Sequence, residues 1–142
     1  MSERALHLSD ELAAKMLGAA ARTFPLECCG LIEGIRIKGG WRATALHEAA
    51  NLAEDPARRF LIDPQRQFDL IRALRGRETR IIGCFHSHPA GPALPSATDR
   101  AQALEDDFLW LIAGGSDSGF TLQAYVFTEE SGFVRIALGE ES

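Results

Sequence analysis

Apolar side chains recur at helical spacing in two parts of the chain, and the sequence predicts three helices in all. The first helix is predicted from Ser9, a capping residue followed by two acidic residues that suit the positive end of a helix, to about Thr23. Its apolar face consists of Leu12, Met16 and Ala20. A second helix is predicted after Asp63, because a cap followed by proline is typical of a helix start, and Gly76 ends it. The apolar face of this second helix is predicted to be Phe68, Ile71 and Leu74. A third, shorter helix is predicted to start near Ser96.

Runs of β-branched and aromatic residues predict strands between and after these helices. The stronger candidates are residues 29–37, 80–88, 108–113, 120–128 and 133–138, and the weaker ones are 41–47 and 60–62. The segment EESG between the last two strands predicts a hairpin turn, which argues against a purely parallel sheet. Strands interleaved with helices predict a three-layer α/β or α+β domain, with a mixed β-sheet flanked by helices.

Composition narrows the function mainly by exclusion. A chain of 142 residues suits a single domain, residues 1–142, and its net charge of −5 disfavours binding to nucleic acid. No apolar run approaches the length of a membrane span, and the N-terminal segment carries charges of both signs rather than the apolar core of a signal peptide. Three cysteines, two of them adjacent, do not form a disulfide framework. We therefore expect a cytoplasmic protein with reduced thiols, and the sequence leaves open whether it forms a homodimer.

The segment CFHSHPAGPALPSATD, residues 84–99, carries the most specific chemistry. His86 and His88 lie two apart at the end of a predicted strand, so both imidazoles project from the same face. Neutral imidazole is a good zinc ligand, and a catalytic zinc ion usually has three protein ligands. The helix that starts near Ser96 places Asp99 one turn in, facing back toward the histidines. These residues predict a zinc site formed by His86, His88 and Asp99.

Two simpler interpretations compete with parts of this site. Ser96 and Asp99 have the spacing of a capping box, which is the commoner reason for such a pair when it is taken alone. Glu27 lies at the entrance of an apolar strand, where a carboxylate is costly unless it stays at the exposed rim or serves a site. The coincidence of all these residues in one short chain favours a zinc hydrolase with Glu27 as the candidate base.

Together these residues resemble the JAMM metalloproteases, also called the MPN+ or Mov34/MPN/PAD-1 family. That pattern consists of an upstream glutamate, His-x-His-Pro and Ser-x-x-Asp, and seven residues separate His88 from Ser96 as in the family. Weaker resemblance lies in PLECCGLIEG around Glu27 and in NLAEDPARRFLIDP, residues 51–64. The likeness extends from about residue 5 to 130, and the loop AGPALPSATD, residues 90–99, resembles that of the compact bacterial members.

The resemblance implies a fold, a set of roles and a substrate class. The fold is the MPN fold, a cytidine-deaminase-like α/β architecture, although the cytidine deaminases' own motif is absent. His86, His88 and Asp99 would hold one Zn²⁺ per chain, Glu27 would be the general base, and Ser96 would donate a hydrogen bond to the oxyanion. The substrate would be a ubiquitin-like β-grasp sulfur carrier protein, cut after its C-terminal Gly-Gly tail.

Two other functions remain open at this point. One is a non-catalytic MPN scaffold that only binds protein partners, although such relatives usually lack some ligands. The other is a cysteine hydrolase that uses Cys84, although a thiol two residues from a histidine on one strand has poor geometry for this chemistry. Cys28, Cys29 and Cys84 are expected to be buried and inert, with zinc ligation or a regulatory disulfide as the sharper alternatives. Trp41 and Trp110 are expected in the core or at an interface. Arg58 and Arg59 are expected on the solvated surface, with contact to a substrate carboxylate as the alternative.

Overall fold

The computed structural model describes residues 4–116 and 118–140. The elements in chain order are β1 (Ala5–Leu8), α1 (Asp10–Thr23), β2 (Cys29–Ile37), β3 (Gly40–Ala49), α2 (Pro64–Ala73), β4 (Arg80–His88), α3 (Ala97–Gln102), β5 (Phe108–Ser116), β6 (Gly119–Thr128) and β7 (Gly132–Glu140). Across these two ranges, no helix has both the length and the apolar character needed to cross a membrane.

The strands form a single closed barrel in the order β1, β3, β2, β4, β5, β6, β7. The sheet is mixed, as predicted, because β4 runs parallel to β5 while β2 and β6 pair antiparallel with their neighbours. The hairpin turn between β6 and β7 is confirmed at residues 129–131. The expected three-layer arrangement is corrected, because the short strand β1 pairs with both β3 and β7 and thereby closes the sheet. The sequence pattern did not predict β1.

Helix α1 covers one face of the sheet as its pattern predicted. The Ser9 hydroxyl accepts a hydrogen bond from the backbone N–H of Leu12 at 3.1 Å, which caps the helix. Leu12, Met16 and Ala20 are buried. They join the larger apolar core, which also contains Leu6, Ile32, Trp41, Phe85, Leu109 and Leu111. Burial of this face against the sheet is what holds α1 in place.

The opposite face of the sheet carries a second, smaller core. Its members come from β2, β4, β5, β6 and the segments that cover them, and include Cys29, Leu31, Phe60, Leu70, Cys84 and Trp110. Both tryptophans are buried, as expected. The predicted apolar face of α2 is wrong, because Phe68 and Ile71 are 53% and 47% exposed while Leu70 is the buried residue of that helix.

The predicted strand at residues 60–62 is also wrong. Only one isolated bridge forms there, between Asn51 and Ile62. The rest of the segment between β3 and α2 is a loop, and Phe60 from this loop packs into the second core. This loop lies beside the end of β4, where the candidate site is found.

Candidate metal centre

Strand β4 places two histidines at its end. His86 is fully buried, and the His88 side chain is 13% exposed. Ser87 between them points to the other side, where its Oγ accepts a hydrogen bond from the backbone N–H of Cys28 at 2.9 Å. The alternation of side chains along a strand therefore brings both imidazoles to one side, as the sequence predicted.

Helix α3 brings Asp99 to the same place. Ser96 caps the helix through a complete capping box, because its Oγ accepts from the N–H of Asp99 at 3.0 Å while Oδ2 of Asp99 accepts from the N–H of Ser96 at 2.9 Å. The same Oδ2 lies 3.2 Å from Nε2 of His86 and 3.2 Å from Nε2 of His88. The carboxylate of Asp99 thus completes the helix cap and also lies close to both histidines. Its part in the cap therefore does not exclude a part in binding a metal.

The three donor atoms form a nearly equilateral triangle. The two Nε2 atoms are 3.0 Å apart, and each is 3.2 Å from Oδ2 of Asp99. Four ligands held tetrahedrally at about 2.0–2.1 Å from zinc are about 3.3 Å from one another. Two imidazole nitrogens and a carboxylate oxygen are also ligand types that zinc accepts. The arrangement therefore fits a zinc ion by both size and chemistry.

The two histidines are oriented in different ways. Nδ1 of His88 donates to the carbonyl of Pro92 at 3.1 Å, which leaves the lone pair of Nε2 facing the site. Nδ1 of His86 is buried without a hydrogen-bond partner among the described residues. Its ring is instead held by packing, since Phe60 stacks on it at 4.3 Å between centroids and Trp110 lies perpendicular to it at 5.8 Å between centroids.

The charges of these groups suit a cation. Burial alone would raise the pKa of Asp99, but hydrogen bonds from His86 and His88 outweigh it and hold that pKa well below its usual range. Burial lowers the pKa of His86. Burial would also lower the pKa of His88, but its hydrogen bond with Asp99 outweighs this and raises it. The site thus has a charged carboxylate and a neutral His86 at neutral pH.

Glu27 lies beside this triangle, two residues before β2. It is only 3% exposed, and its Oε1 has no hydrogen-bond partner among the described residues. A carboxylate oxygen of Glu27 and one ring nitrogen from each of His86 and His88 all lie within 4.8 Å of one another. Burial raises the pKa of Glu27 from 4.5 to about 7. The alternative of an exposed rim residue is therefore wrong.

Either Asp99 or Glu27 could be the third metal ligand beside the two histidines. Asp99 is favoured, because its Oδ2 is 3.2 Å from both nitrogens and its carboxyl stays ionised. Glu27 belongs to a wider grouping, in which its carboxylate oxygen lies within 4.8 Å of one ring nitrogen from each histidine. A carboxyl group with a pKa of about 7 can exchange a proton near neutral pH.

The site opens to solvent through a surface cleft of about 400 Å³. Glu27, His88 and Ser96 line it together with residues 89–92, 94 and 95 of the loop that follows β4. Arg58 also lines the cleft, and it is exposed as the sequence predicted. A substrate that enters this cleft meets the candidate base, one histidine and the serine hydroxyl together.

The cysteines take no part in the described donor set. Cys28, Cys29 and Cys84 are buried and free, as expected. Burial raises the pKa of Cys84 well above its ordinary value and that of Cys29 to about 12. The thiolate is the reactive form of cysteine, so a fully buried thiol with a raised pKa makes a poor nucleophile. This argues against a cysteine hydrolase based on Cys84.

The family model described as prokaryotic homologs of the JAB domain matches residues 9–127. The chain belongs to this family. The match covers most of the chain and includes all the candidate site residues, from Glu27 to Asp99. It confirms the resemblance to the JAMM and MPN proteins that the sequence motifs indicated.

Two curated relatives of this JAB-family chain carry functional names. The desampylase of Haloferax volcanii is 30% identical over 103 residues, which are 72% of this chain and 73% of that protein. A probable TtuB-protein conjugate cleaving protease of Thermus thermophilus is 36% identical over 53 residues, which are 37% of this chain and 36% of that protein.

Two solution structures share the fold of this JAB-family chain. A protein from Desulfitobacterium hafniense superposes with a TM-score of 0.84 at 26% identity, covering 96% of this chain and 93% of its own. A protein from Salinibacter ruber gives a TM-score of 0.72 at 27% identity, with 96% and 92% covered. The barrel with its flanking helices therefore recurs over nearly the full length of both proteins.

Sequence reasoning did not assign site roles to Asn51, Phe60 or Pro92. Asn51 and Phe60 lie within the segment NLAEDPARRFLIDP. The resemblance of this segment to the family was the one sequence signal that could have drawn attention to these two residues. Pro92 contributes its carbonyl oxygen, a group that every residue has, so nothing in the sequence distinguishes it.

Proposed function

We propose that this protein is a zinc-dependent metallopeptidase that hydrolyses the amide bond after the C-terminal Gly-Gly tail of a ubiquitin-like sulfur carrier. The observation that carries the proposal is the convergence of three zinc-type donor atoms within 3.0–3.2 Å, next to a buried glutamate whose pKa is raised to about 7. A hydrolase needs both parts, a place for the metal and a base close to it.

The residues assigned to the metal are His86, His88 and Asp99, with one ion per chain. Three protein ligands leave a coordination position open, which is typical of catalytic rather than structural zinc. A zinc ion held there would supply Lewis acidity, which makes water a better nucleophile near neutral pH and polarises a carbonyl group.

Glu27 is assigned the proton transfers. A base works best when its pKa is close to the working pH, and burial brings the pKa of Glu27 to about 7. Its Oε1, which has no hydrogen-bond partner in the described part of the chain, is available to take a proton from the attacking water. The protonated carboxyl then returns that proton to the leaving nitrogen, so the amine departs neutral.

Ser96 is assigned to the oxyanion. Its Oγ accepts the N–H of Asp99, which uses a lone pair and leaves the hydroxyl hydrogen free to donate. Ser96 lines the cleft with Glu27 and His88, so this donor faces the space where a substrate carbonyl would lie. A donor fixed by its role as a helix cap loses little entropy when the charge develops.

The substrate class is inferred from the relatives. One is named a desampylase, and the name of the other states that it cleaves a protein conjugate. We infer the same class of reaction here, with a ubiquitin-like carrier as partner. A Gly-Gly tail is a reasonable substrate, because an extended chain without side chains can enter a cleft of about 400 Å³.

The experiment that tests this function uses a β-grasp carrier whose C-terminal Gly-Gly is joined to a fluorescent amine. The zinc-loaded parent is expected to release the amine, and a chelator is expected to stop release until zinc is restored. Glu27→Gln is expected to retain zinc and lose turnover by at least about 100-fold.

Glu48→Gln is the matched control, since Glu48 is an exposed glutamate that pairs with Arg22. It should cleave at the parent's rate. Release of the amine at the parent's rate by Glu27→Gln, or by chelated protein, would reject the mechanism. A zinc-loaded parent that leaves every Gly-Gly conjugate intact would instead reject the hydrolase in favour of a scaffold.

A further inference from the structure

The loop between β3 and α2 is organised by one side chain, Asn51. Its Oδ1 accepts the backbone N–H groups of Ala53 and Leu61, both at 3.0 Å. Its Nδ2 donates to the carbonyl oxygens of Glu27 and Arg59, both at 3.0 Å, and makes a longer contact of 3.5 Å with the carbonyl oxygen of Pro56. An amide offers two donor hydrogens and an acceptor oxygen with two lone pairs, so the four bonds of 3.0 Å use its full capacity. Because all of these bonds are made to backbone groups, the Asn51 side chain holds the backbone of the loop in place.

Glu27 depends on this loop for its backbone hydrogen bonds. The pairing of β2 with β3 and β4 begins at Cys29, so neither ladder holds Glu27. The N–H of Glu27 donates to the carbonyl of Pro56 at 2.7 Å, and its carbonyl accepts from Nδ2 of Asn51. Both backbone polar groups of the candidate base are therefore satisfied by the loop rather than by the sheet.

The same loop reaches the metal site at a second point. The N–H of Leu52 donates to the carbonyl of Leu61 at 2.9 Å, which closes the base of the loop. Next to this closure, Phe60 stacks on the imidazole of His86. Because the ends of this compact loop are held together, a shift of the loop would move the backbone around Glu27 and the ring of Phe60 together.

We propose that Asn51 is a positioning residue for Glu27. Its amide ties the loop to the backbone of Glu27 and so fixes where the carboxylate lies relative to His86 and His88. The expected effect on turnover rests on the proposed hydrolase function. The expected effect on the local hydrogen bonds does not.

Asn51→Asp is the selective test. An aspartate retains an oxygen for the N–H groups of Ala53 and Leu61 but has no hydrogen to donate to the carbonyl of Glu27. The carboxylate oxygen that replaces Nδ2 would also repel the carbonyl oxygen of Pro56, which lies 3.5 Å from Nδ2 in the parent and accepts the N–H of Glu27. Hydrogen exchange measured by NMR is therefore expected to show lost protection at the amide of Glu27 and retained protection at that of Leu61. With the Gly-Gly conjugate, kcat is expected to fall about 10- to 100-fold, because small displacements of a catalytic group are that costly. KM should change by less than about threefold, and the zinc content should stay at the parent's value.

Asp63→Ala provides the matched control. Asp63 lies at the far end of the same connection, where its Oδ1 accepts the N–H of Gln65 at 3.0 Å and caps α2. Its loss should lower stability without lowering kcat. If Asn51→Asp does not fold, Asn51→Ala takes its place and is compared with Asp63→Ala at a temperature where both are folded.

Two results would overturn the assignment of Asn51. One is unchanged protection at the Glu27 amide in the variant, and the other is a kcat no lower than that of Asp63→Ala. A parent without any turnover would count against the proposed function alone. The exchange measurement would then still decide on Asn51, since selective loss at Glu27 supports its role and unchanged protection refutes it.

Discussion

The ring of Phe60 lies nearly parallel to the imidazole of His86, with 4.3 Å between centroids and 20° between planes. Phe60 is only 6% exposed, and it comes from a loop rather than from the sheet. Metal-binding histidines usually fix their second ring nitrogen with a hydrogen bond, as His88 does with Pro92. His86 has no such bond among the described residues, so the stacked ring is what holds its orientation.

Phe60→Ala is therefore expected to affect both stability and metal binding. Removing a buried aromatic ring costs about 3 kcal/mol of unfolding free energy. Without Phe60 the His86 ring can turn, and we expect the zinc affinity to fall about tenfold. This is the lower end of the loss that follows when a group that orients a metal ligand is removed. Urea unfolding and competition with a chromophoric chelator measure the two effects.

Phe60→Leu separates these two effects, because leucine keeps most of the apolar burial but offers no ring face. It should recover most of the stability and only part of the zinc affinity. If Phe60→Ala bound zinc as tightly as the parent, the orienting role of Phe60 would be wrong.

Ser96→Ala is expected to slow the reaction far beyond its effect on stability. Loss of the helix cap costs about 1 kcal/mol. Loss of an oxyanion donor lowers kcat by about 100- to 1,000-fold. Ser9→Ala is the matched control, because Ser9 caps α1 through the same type of bond, to the N–H of Leu12, and α1 carries none of the proposed site residues. Equal rates for the two variants would leave Ser96 with a capping role only.

Glu27→Gln is expected to stabilise the metal-free protein, increasingly so as the pH rises. The pKa of Glu27 is raised from 4.5 in the unfolded chain to about 7 in the folded one, so the folded state binds the proton more tightly. Stability contributed by this group is therefore full below pH 4.5 and is lost as the pH rises to about 7. Since each tenfold change in the acid constant is worth about 1.4 kcal/mol, the loss amounts to about 3 kcal/mol.

Urea unfolding of chelator-treated protein at pH 5 and pH 8 measures this difference. The parent should lose more stability than Glu27→Gln between the two values. A parent and variant with parallel pH profiles would show that Glu27 is not buried as the structure has it.

Gly114→Ala is expected to disturb the site through the loop that supports His88. Gly114 pairs with His88 across β4 and β5, and a Cβ at this position would overlap the backbone of Pro92 and Ala93. Displacement of Pro92 weakens the bond that orients His88, and the overlap costs about 1–3 kcal/mol. Both the melting temperature and the zinc affinity should fall.

Gly18→Ala is the matched control for this change. Among residues 4–116 and 118–140, and apart from the backbone of α1 itself, nothing lies within 4 Å of a Cβ at Gly18, so alanine should stabilise that helix by about 0.5–1 kcal/mol. A Gly114→Ala protein with the parent's zinc affinity would contradict the role of the Pro92 carbonyl.

The core of the candidate site was predictable because its geometry is local. Side chains that lie two positions apart on a strand point to the same face. A residue three positions after a helix cap lies in the first turn and faces back toward the cap. His86, His88 and Asp99 follow these rules, and the structure places them within 3.2 Å of one another. The helix bounds of α1 followed from its cap and its apolar stripe for the same reason.

Features that depend on distant contacts were not predictable. Strand β1 has four residues, too few to show a pattern, yet its pairing with β3 and β7 closes the barrel. The face of α2 was assigned from spacing alone, whereas in the structure Leu70 joins the second core and Phe68 is exposed. Asn51 acts through backbone groups that lie up to 24 positions away in sequence, which no local pattern encodes.

The most direct test of the central claim is the zinc content of the chain, purified without a polyhistidine tag and measured by elemental mass spectrometry. The parent should hold about one zinc ion per chain, and His88→Ala and Asp99→Asn should hold much less. His47→Ala is the control, because His47 pairs with Glu33 and should leave the zinc in place. A parent that holds no zinc after zinc is offered and excess removed, or a His88→Ala protein as well loaded as the parent, would contradict the account.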